Sequence, residues 1–169
     1  MLYLRDLPKY EAIEQRSRRY PQVNAAAVES FLVLLRVASD VLEAMERFLA
    51  GHGMSQGRFT VLMLLNREPD RPASPSDLAT RSGVTRATMT GLLDGLERDR
   101  LVKREADRQD RRMLLVELTA RGRKLLDGML PDYYSNIASI MAHLPDSEKH
   151  HLVELLGKVN IGIPSVISQ

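Results

Sequence analysis

The chain has 169 residues, a length that fits one domain or one domain with an added segment. Hydrophobic residues make up 44% of it and charged residues 27%, and no apolar run approaches the roughly 18 residues of a membrane-spanning helix. Cysteine is absent, which excludes disulfide scaffolds, cysteine nucleophiles and thiolate metal sites. Because the N-terminus also has no secretory signal pattern, the sequence predicts a cytoplasmic protein.

Positive charge is concentrated in one part of the chain. The 24 basic and 22 acidic residues give a formal net charge of only +2 at pH 7, and 19 of the basic residues are arginine. Between Arg81 and Arg112, however, nine basic residues stand against six acidic ones. Arginine suits phosphate and base-edge recognition, so this segment is a candidate for contact with nucleic acid.

The N-terminal part of the chain predicts an arm followed by a long helix. Residues 1–27 are interpreted as the arm, with a short helix that Pro21 ends. From Val28 to Leu49, apolar residues recur at helical spacing on more than one face. A helix that is apolar on several faces needs several partners, which in a small protein predicts a homodimer.

The next segment predicts a helix-turn-helix. Ser55 is expected to cap one helix, and Ser74, followed by a proline and an acid, to cap a second short one. Gly83 ends that helix, and Thr85 caps a third that continues to Arg100. In this third helix the predicted inward residues are Met89, Leu92, Leu93 and Leu96. The predicted outward residues are Arg86, Thr88, Thr90, Gly91, Asp94, Gly95 and Arg98.

Two strands and a polar hairpin tip follow the third helix. Residues 101–106 and 113–118 predict the strands, and the charged run between them is interpreted as the tip of a wing. The tip arginines are Arg108, Arg111 and Arg112, and Asp110 is expected to brace one of them. Without a helix-turn-helix before it, the same loop would be interpreted as solvated, with its arginines paired to its own aspartates.

The C-terminal part predicts two more helices. Thr119 is expected to cap a long helix that continues through Pro131 with a kink, and a last helix begins near Asp146. The predicted fold is mainly α with a small β wing, a winged helix-turn-helix with a dimerisation region formed by its N- and C-terminal helices. The predicted parts are residues 55–118 for the winged helix-turn-helix, 28–54 and 119–160 for the dimerisation region, and 161–169 for a loose tail.

Residues 28–160 resemble the MarR family of winged-helix transcriptional regulators. The resemblance lies in three stretches, SPSDLATRSG from Ser74, VTRATMTGLLDGLERDRL from Val84, and DRQDRRMLLVELT from Asp107. The last is similar to the family's D-x-R…LT wing signature. The resemblance implies a homodimer on a pseudo-palindromic operator, with the family's usual release by a small phenolic or anionic ligand. Repression is the expected mode of regulation.

The resemblance also assigns DNA contacts to positions in this chain. Residues 85–90 match the part of the recognition helix that meets the major groove, and Arg112 matches the wing arginine that enters the minor groove. Gly91 departs from members that carry a long basic residue there. The predicted DNA-binding residues are Ser74, Ser76, Thr85, Arg86, Thr88, Thr90, Gly91, Arg108, Arg111 and Arg112.

Other function classes fit the sequence less well. An enzyme is not predicted, because the chain has no Gly-rich phosphate loop, no H-E-x-x-H motif and no arrangement typical of a catalytic triad. No cofactor is predicted. A metal site is not predicted either, because the adjacent residues His150 and His151 would point in different directions on a helix. The alternative to a regulator is a winged-helix architectural or protein-binding module without a specific operator. The effector pocket has no assigned residues.

Overall fold

The computed structural model describes residues 6–20, 22–68, 71–106 and 114–164, with the backbone alone described at residues 16 and 17. Residues 1–120 and 121–169 form two compact units. The helices and strands in the described ranges are α1 (Tyr10–Ser17), α2 (Ala25–Gly51), α3 (Gln56–Arg67), α4 (Pro75–Ser82), α5 (Arg86–Arg98), β1 (Val102–Ala106), β2 (Leu114–Leu118), α6 (Ala120–Ile140) and α7 (Asp146–Gly162). Within these ranges, no helix has the length and apolar content that crossing a bilayer requires.

The two N-terminal helices depart from their predicted bounds. α1 ends at Ser17, earlier than the predicted end at Pro21, and residues 18 and 19 form a turn. α2 begins at Ala25, so the predicted arm of residues 1–27 overlaps it by three residues. The side chain of Asn24 accepts the Ala27 N–H at 3.1 Å and so supplies the cap. The arm does pack: α1 lies against α2.

The core of residues 1–120 lies among α3, α4, α5 and the two strands. Gly57 allows α3 to approach α5 closely, since a Cβ atom there would lie 3.1 Å from a methyl group of Leu92. Most of the predicted inward residues are buried, and Leu92 is half-buried. The largest fully buried side chains of this unit are Leu49, Val61, Leu62, Leu78, Met89, Leu93, Leu96, Val102 and Val116.

α5 ends two residues before its predicted end. Arg100 has a φ of 60°, which a helix cannot continue through. Its N–H donates to the Glu97 carbonyl at 2.8 Å, and the Leu101 N–H donates to the Leu96 carbonyl at 2.9 Å. These are the two hydrogen bonds of a Schellman motif, with an arginine in the position that usually holds glycine.

The wing has two strands and one further bridge. β1 and β2 pair antiparallel, with Val102 opposite Leu118 and Ala106 opposite Leu114. Ala73, just before α4, exchanges two backbone hydrogen bonds with Val116 of β2, at 3.2 and 2.9 Å. Both predicted strands are confirmed: β1 begins one residue later than predicted, and residue 113, the predicted start of the second strand, lies outside the described residues. The backbone bridge from Ala73 was not predicted.

The second unit consists of α6, from Arg121 onward, and α7. As predicted, α6 continues through Pro131 and α7 begins at Asp146. In α6, Leu126 and Met129 are fully buried. α7 continues to Gly162, two residues into the segment predicted as a loose tail.

Candidate nucleic-acid interface

The turn between α4 and α5 is built as the sequence predicts. Ser74 caps α4, its Oγ accepting the Asp77 N–H at 3.1 Å, with Pro75 in the first helical turn. Gly83 ends α4 with a φ of 67°, and the Val84 N–H donates to the Ala79 carbonyl at 3.1 Å. A left-handed residue at this point reverses the chain within a few residues. α5 therefore starts directly after α4.

The first turn of α5 carries a linked pair of threonine hydroxyls. Thr85 caps the helix, its Oγ1 accepting the Thr88 N–H at 3.1 Å. The same oxygen lies 2.9 Å from Thr88 Oγ1, so the two hydroxyls share a hydrogen bond. Both side chains are exposed. Their positions are therefore fixed before any ligand arrives.

α5 has one buried face and one exposed face. Met89, Leu93 and Leu96 are buried, and their side chains hold the helix to the core. The predicted DNA-binding residues of this helix and its cap, Thr85, Arg86, Thr88, Thr90 and Gly91, are all exposed. Arg86 is exposed and makes no ion pair with any residue that the structure describes.

Two predicted residues lie at the start of α4. Ser76 is exposed, and Ser74 is half-buried because its oxygen faces the helix end that it caps. The structure brings these residues and the exposed face of α5 into one unit. The four remaining predicted residues, Arg108, Asp110, Arg111 and Arg112, lie outside the described residues. Their connection joins Ala106 to Leu114, which are paired at the ends of β1 and β2.

An arginine that the prediction did not single out joins the wing to α5. Arg104 of β1 places Nη2 2.6 Å from Asp94 Oδ1 and Nε 3.6 Å from Glu97 Oε2. Its side chain is 19% exposed. The sequence does indicate this contact. Side chains of a strand alternate between its two faces, so Arg104, two residues after Val102, lies on the inward face, where an arginine needs an acidic partner.

Three more ion pairs surround this connection. Arg58 of α3 pairs with Asp99, the residue that follows α5, and so ties the end of that helix to α3. On β1, Lys103 pairs with Glu105 at 2.7 Å and with Glu117 at 3.2 Å. The hydrogen bond to Glu105, and then that to Glu117, raises the pKa of Lys103 above its usual value.

A cleft of about 550 Å³ lies beside α4. Its charged lining residues pair with one another: Arg81 lies 3.2 Å from Asp77 and 3.5 Å from Glu68, and Arg71 lies 3.3 Å from Glu68. Since these charges are paired, the cleft does not present a net charge to a ligand. We assign no effector to it.

Sequence comparison decides the family. A model of the MarR family matches residues 52–113. YetL, an HTH-type transcriptional repressor of Bacillus subtilis (strain 168), is 42% identical over 154 residues, which cover 91% of this chain and 92% of YetL. The chain belongs to the MarR family of winged-helix transcriptional regulators. The family prediction and the prediction that the protein is not an enzyme are thereby confirmed.

Solved structures show the MarR fold. The crystal structure of an S. aureus MepR–DNA complex has a TM-score of 0.69 and 20% identity, covering 78% of this chain and 94% of that one. CouR from Rhodococcus jostii RHA1, bound to p-coumaroyl-CoA, has a TM-score of 0.66 and 26% identity, covering 76% and 89%. These likenesses confirm the mainly helical fold with an antiparallel two-strand wing. The assignment of individual DNA-binding residues stays a prediction.

Proposed function

We propose that this MarR-family DNA-binding regulator is a repressor that binds a pseudo-palindromic operator as a homodimer. The observation that carries the proposal is the division of α5, whose apolar face is buried while Arg86 and the threonines are exposed. Repression is inferred from the likeness to the repressor YetL. As a regulator of transcription, the protein would act in the cytoplasm, where a bacterial chromosome lies.

α5 is proposed to lie in the major groove. A helix fits that groove, where base edges differ for every base pair. Arg86 can hold a phosphate or reach the O6 and N7 atoms of a guanine, and Ser76, at the start of α4, can bond a phosphate. Thr85 and Thr88 share one hydrogen bond, so one hydroxyl proton of the pair remains for a phosphate oxygen. Of these contacts, only one between Arg86 and a guanine would distinguish base sequences, whereas the phosphate contacts position the helix.

The wing tip is proposed to enter the adjacent minor groove. β1 and β2 support the tip by their pairing, and Arg104 joins β1 to α5. A narrow A·T-rich minor groove concentrates negative potential, which favours an inserted arginine. Arg112 is the proposed inserting residue, with Arg108 and Arg111 on the flanking phosphates and Asp110 bracing the tip.

A second copy of the chain is proposed to cover the terminal helices. In the single chain, Phe31 and Val37 of α2 are 58% and 54% exposed, and Val153 and Val159 of α7 are 70% and 50% exposed. None of the residues of α7 is buried. Apolar surface of this extent indicates an interface, and residues 28–54 and 119–160 supply it in the proposed dimer.

Release by a small ligand is proposed from the family and from its relatives. CouR was solved with p-coumaroyl-CoA, a phenolic thioester that also carries phosphates. A phenolic or anionic effector is therefore proposed for this chain as well. A ligand that binds the DNA-free form of the protein more tightly than the DNA-bound form lowers the affinity for DNA, because the two binding equilibria are linked.

The experiment is to sequence the genomic fragments that the full-length protein retains at near-physiological salt. The proposal expects a small set of fragments that share an inverted repeat. A protein that retains fragments without a shared sequence would instead be an architectural module, the alternative that the sequence left open. Affinity for the shared repeat is then compared with affinity for a scrambled duplex at several salt concentrations, because non-specific binding is mainly electrostatic.

A further inference from the structure

We propose that Thr90 determines operator specificity through its methyl group, by contacting the 5-methyl group of a thymine in the major groove. The inference rests on the proposed function, since it assumes that α5 lies in that groove. It assigns a base type to the operator, which the family resemblance does not.

The hydroxyl of Thr90 is turned to its own helix. Its Oγ1 donates to the carbonyl oxygen of Arg86 at 3.0 Å, one turn earlier. A hydroxyl has one proton, so Thr90 has none left to donate to a base. The side chain is nevertheless exposed. Its oxygen can still accept a hydrogen bond, and its γ-methyl group can make an apolar contact.

Of the exposed residues near Thr90 on α5, Arg86 carries a polar group, whereas Ala87 and Gly91 do not. Ala87 lies three residues before Thr90 on the same face of the helix, and Gly91 follows Thr90 directly; both are exposed. A Cβ atom at Gly91 would meet nothing within 4 Å, so the helix surface is open there and a base edge can approach. On the next turn, Asp94 is already paired with Arg104 at 2.6 Å.

Methyl groups in the major groove mark thymine. Of the four bases, thymine alone presents a C5-methyl group there, and alanine and threonine methyl groups are typical partners for it. The exposed β-methyl of Ala87 and γ-methyl of Thr90 therefore fit a thymine-bearing A·T step. Arg86, one residue before Ala87, can add a guanine contact or a phosphate contact.

The first arm of the test removes single methyl groups from the DNA. The operator selected by the full-length protein is synthesised with deoxyuridine in place of one thymine at a time, at the symmetric positions of both half-sites. Uracil keeps the pairing and the O4 acceptor of thymine and lacks its methyl group. Affinity should fall about fourfold for each contacted methyl group removed.

The second arm uses two variants of the same residue. Thr90→Ser keeps the hydroxyl and loses the methyl, whereas Thr90→Val keeps the methyl and loses the hydroxyl. For the Thr90→Ser variant we expect one position in each half-site at which operators with thymine and with uracil are bound with equal affinity. Thr90→Val should keep the parent's preference for thymine there. A thermal melt of both variants shows whether the fold is retained.

The results separate the inference from the proposed function. If Thr90→Val loses the thymine preference and Thr90→Ser keeps it, the hydroxyl makes the contact and the inference is wrong. It is equally wrong if no uracil substitution affects the parent protein on an operator that it binds specifically. If the parent selects no operator at all, the proposed function itself fails.

Discussion

Arg104 Nη2 lies 2.6 Å from Asp94 Oδ1, and this contact joins the first strand of the wing to the exposed face of the recognition helix. Glu97, on the same helix, lies 3.6 Å from the Nε atom of that guanidinium. The Nε atom is buried and has no hydrogen-bond partner among the described residues. One side chain therefore fixes the wing relative to α5.

The first prediction is that Arg104→Gln reduces the free energy of DNA binding more than it reduces the free energy of unfolding. Loss of the pair loosens the wing, and we expect about 0.5–2 kcal/mol of lost binding energy. Lys103→Gln, on the same strand, is the control, because Lys103 pairs with Glu105 and Glu117 and not with α5. Fluorescence anisotropy on the operator and a thermal melt measure both effects. Equal losses of affinity in the two variants would show that the pair does not position the wing.

The second prediction concerns the strained residue after α5. Arg100→Gly should increase the free energy of unfolding by up to about 1 kcal/mol, because glycine adopts a φ of 60° without the cost borne by a side chain. Gly83→Ala is the matched control: it introduces a side chain at the equivalent position after α4 and should destabilise by a similar amount. Urea unfolding measures both. A lower midpoint for Arg100→Gly would contradict the prediction.

Local chemistry explains which parts of the fold the sequence predicted. The caps Ser74 and Thr85 and the turn at Gly83 were predictable because each depends on a few neighbouring residues. The start of α2 was missed because Ala25–Ala27 carry no large apolar residue, so the periodic pattern begins only afterwards. The sequence does indicate the true start of α2, because an asparagine, which caps helices, precedes three alanines, which are strong helix formers.

Contacts between distant elements were not predictable in the same way. The bridge between Ala73 and Val116 joins residues 43 positions apart, and the pair between Arg104 and Asp94 depends on how β1 lies against α5. In the site, the exposed face of α5 was predicted correctly because its period separates polar from apolar residues. The bond from Thr90 to the Arg86 carbonyl depends on a rotamer, which the sequence does not specify.

The third prediction is that α1 stabilises the folded protein. Ile13 is only 4% exposed, and α1 packs against α2. Ile13→Ala should cost about 2 kcal/mol or more of unfolding free energy, and deletion of residues 1–22 should lower the melting temperature. Gln15→Ala, at an exposed position of the same helix, is the control. A melting temperature unchanged by the deletion would mean that α1 does not contribute to stability.

The fourth prediction concerns the dimer. At micromolar concentration, light scattering should give twice the mass of one chain, because the apolar surface of α2 and α7 requires a partner. Removal of residues 145–169 should cause aggregation or unfolding, whereas removal of residues 165–169 alone should not. A parent protein that is a stable, soluble monomer would contradict the proposed dimer.

The most direct test of the central claim is the affinity of Arg112→Ala and Arg86→Ala for the selected operator, measured by anisotropy at several salt concentrations. Loss of Arg112 removes one contact from each wing, each worth about 1–3 kcal/mol, so affinity should fall by one to several orders of magnitude. Arg86→Ala should lower the affinity by a similar amount. If Arg86 contacts a base, the variant should also have a weaker sequence preference; if it contacts a phosphate, only the salt dependence of binding should become smaller. Neither change alters an apolar residue of the predicted helical stripes, so both melting temperatures should equal the parent's. Parent-like binding of both variants at every salt concentration would contradict the account of how α5 and the wing bind DNA.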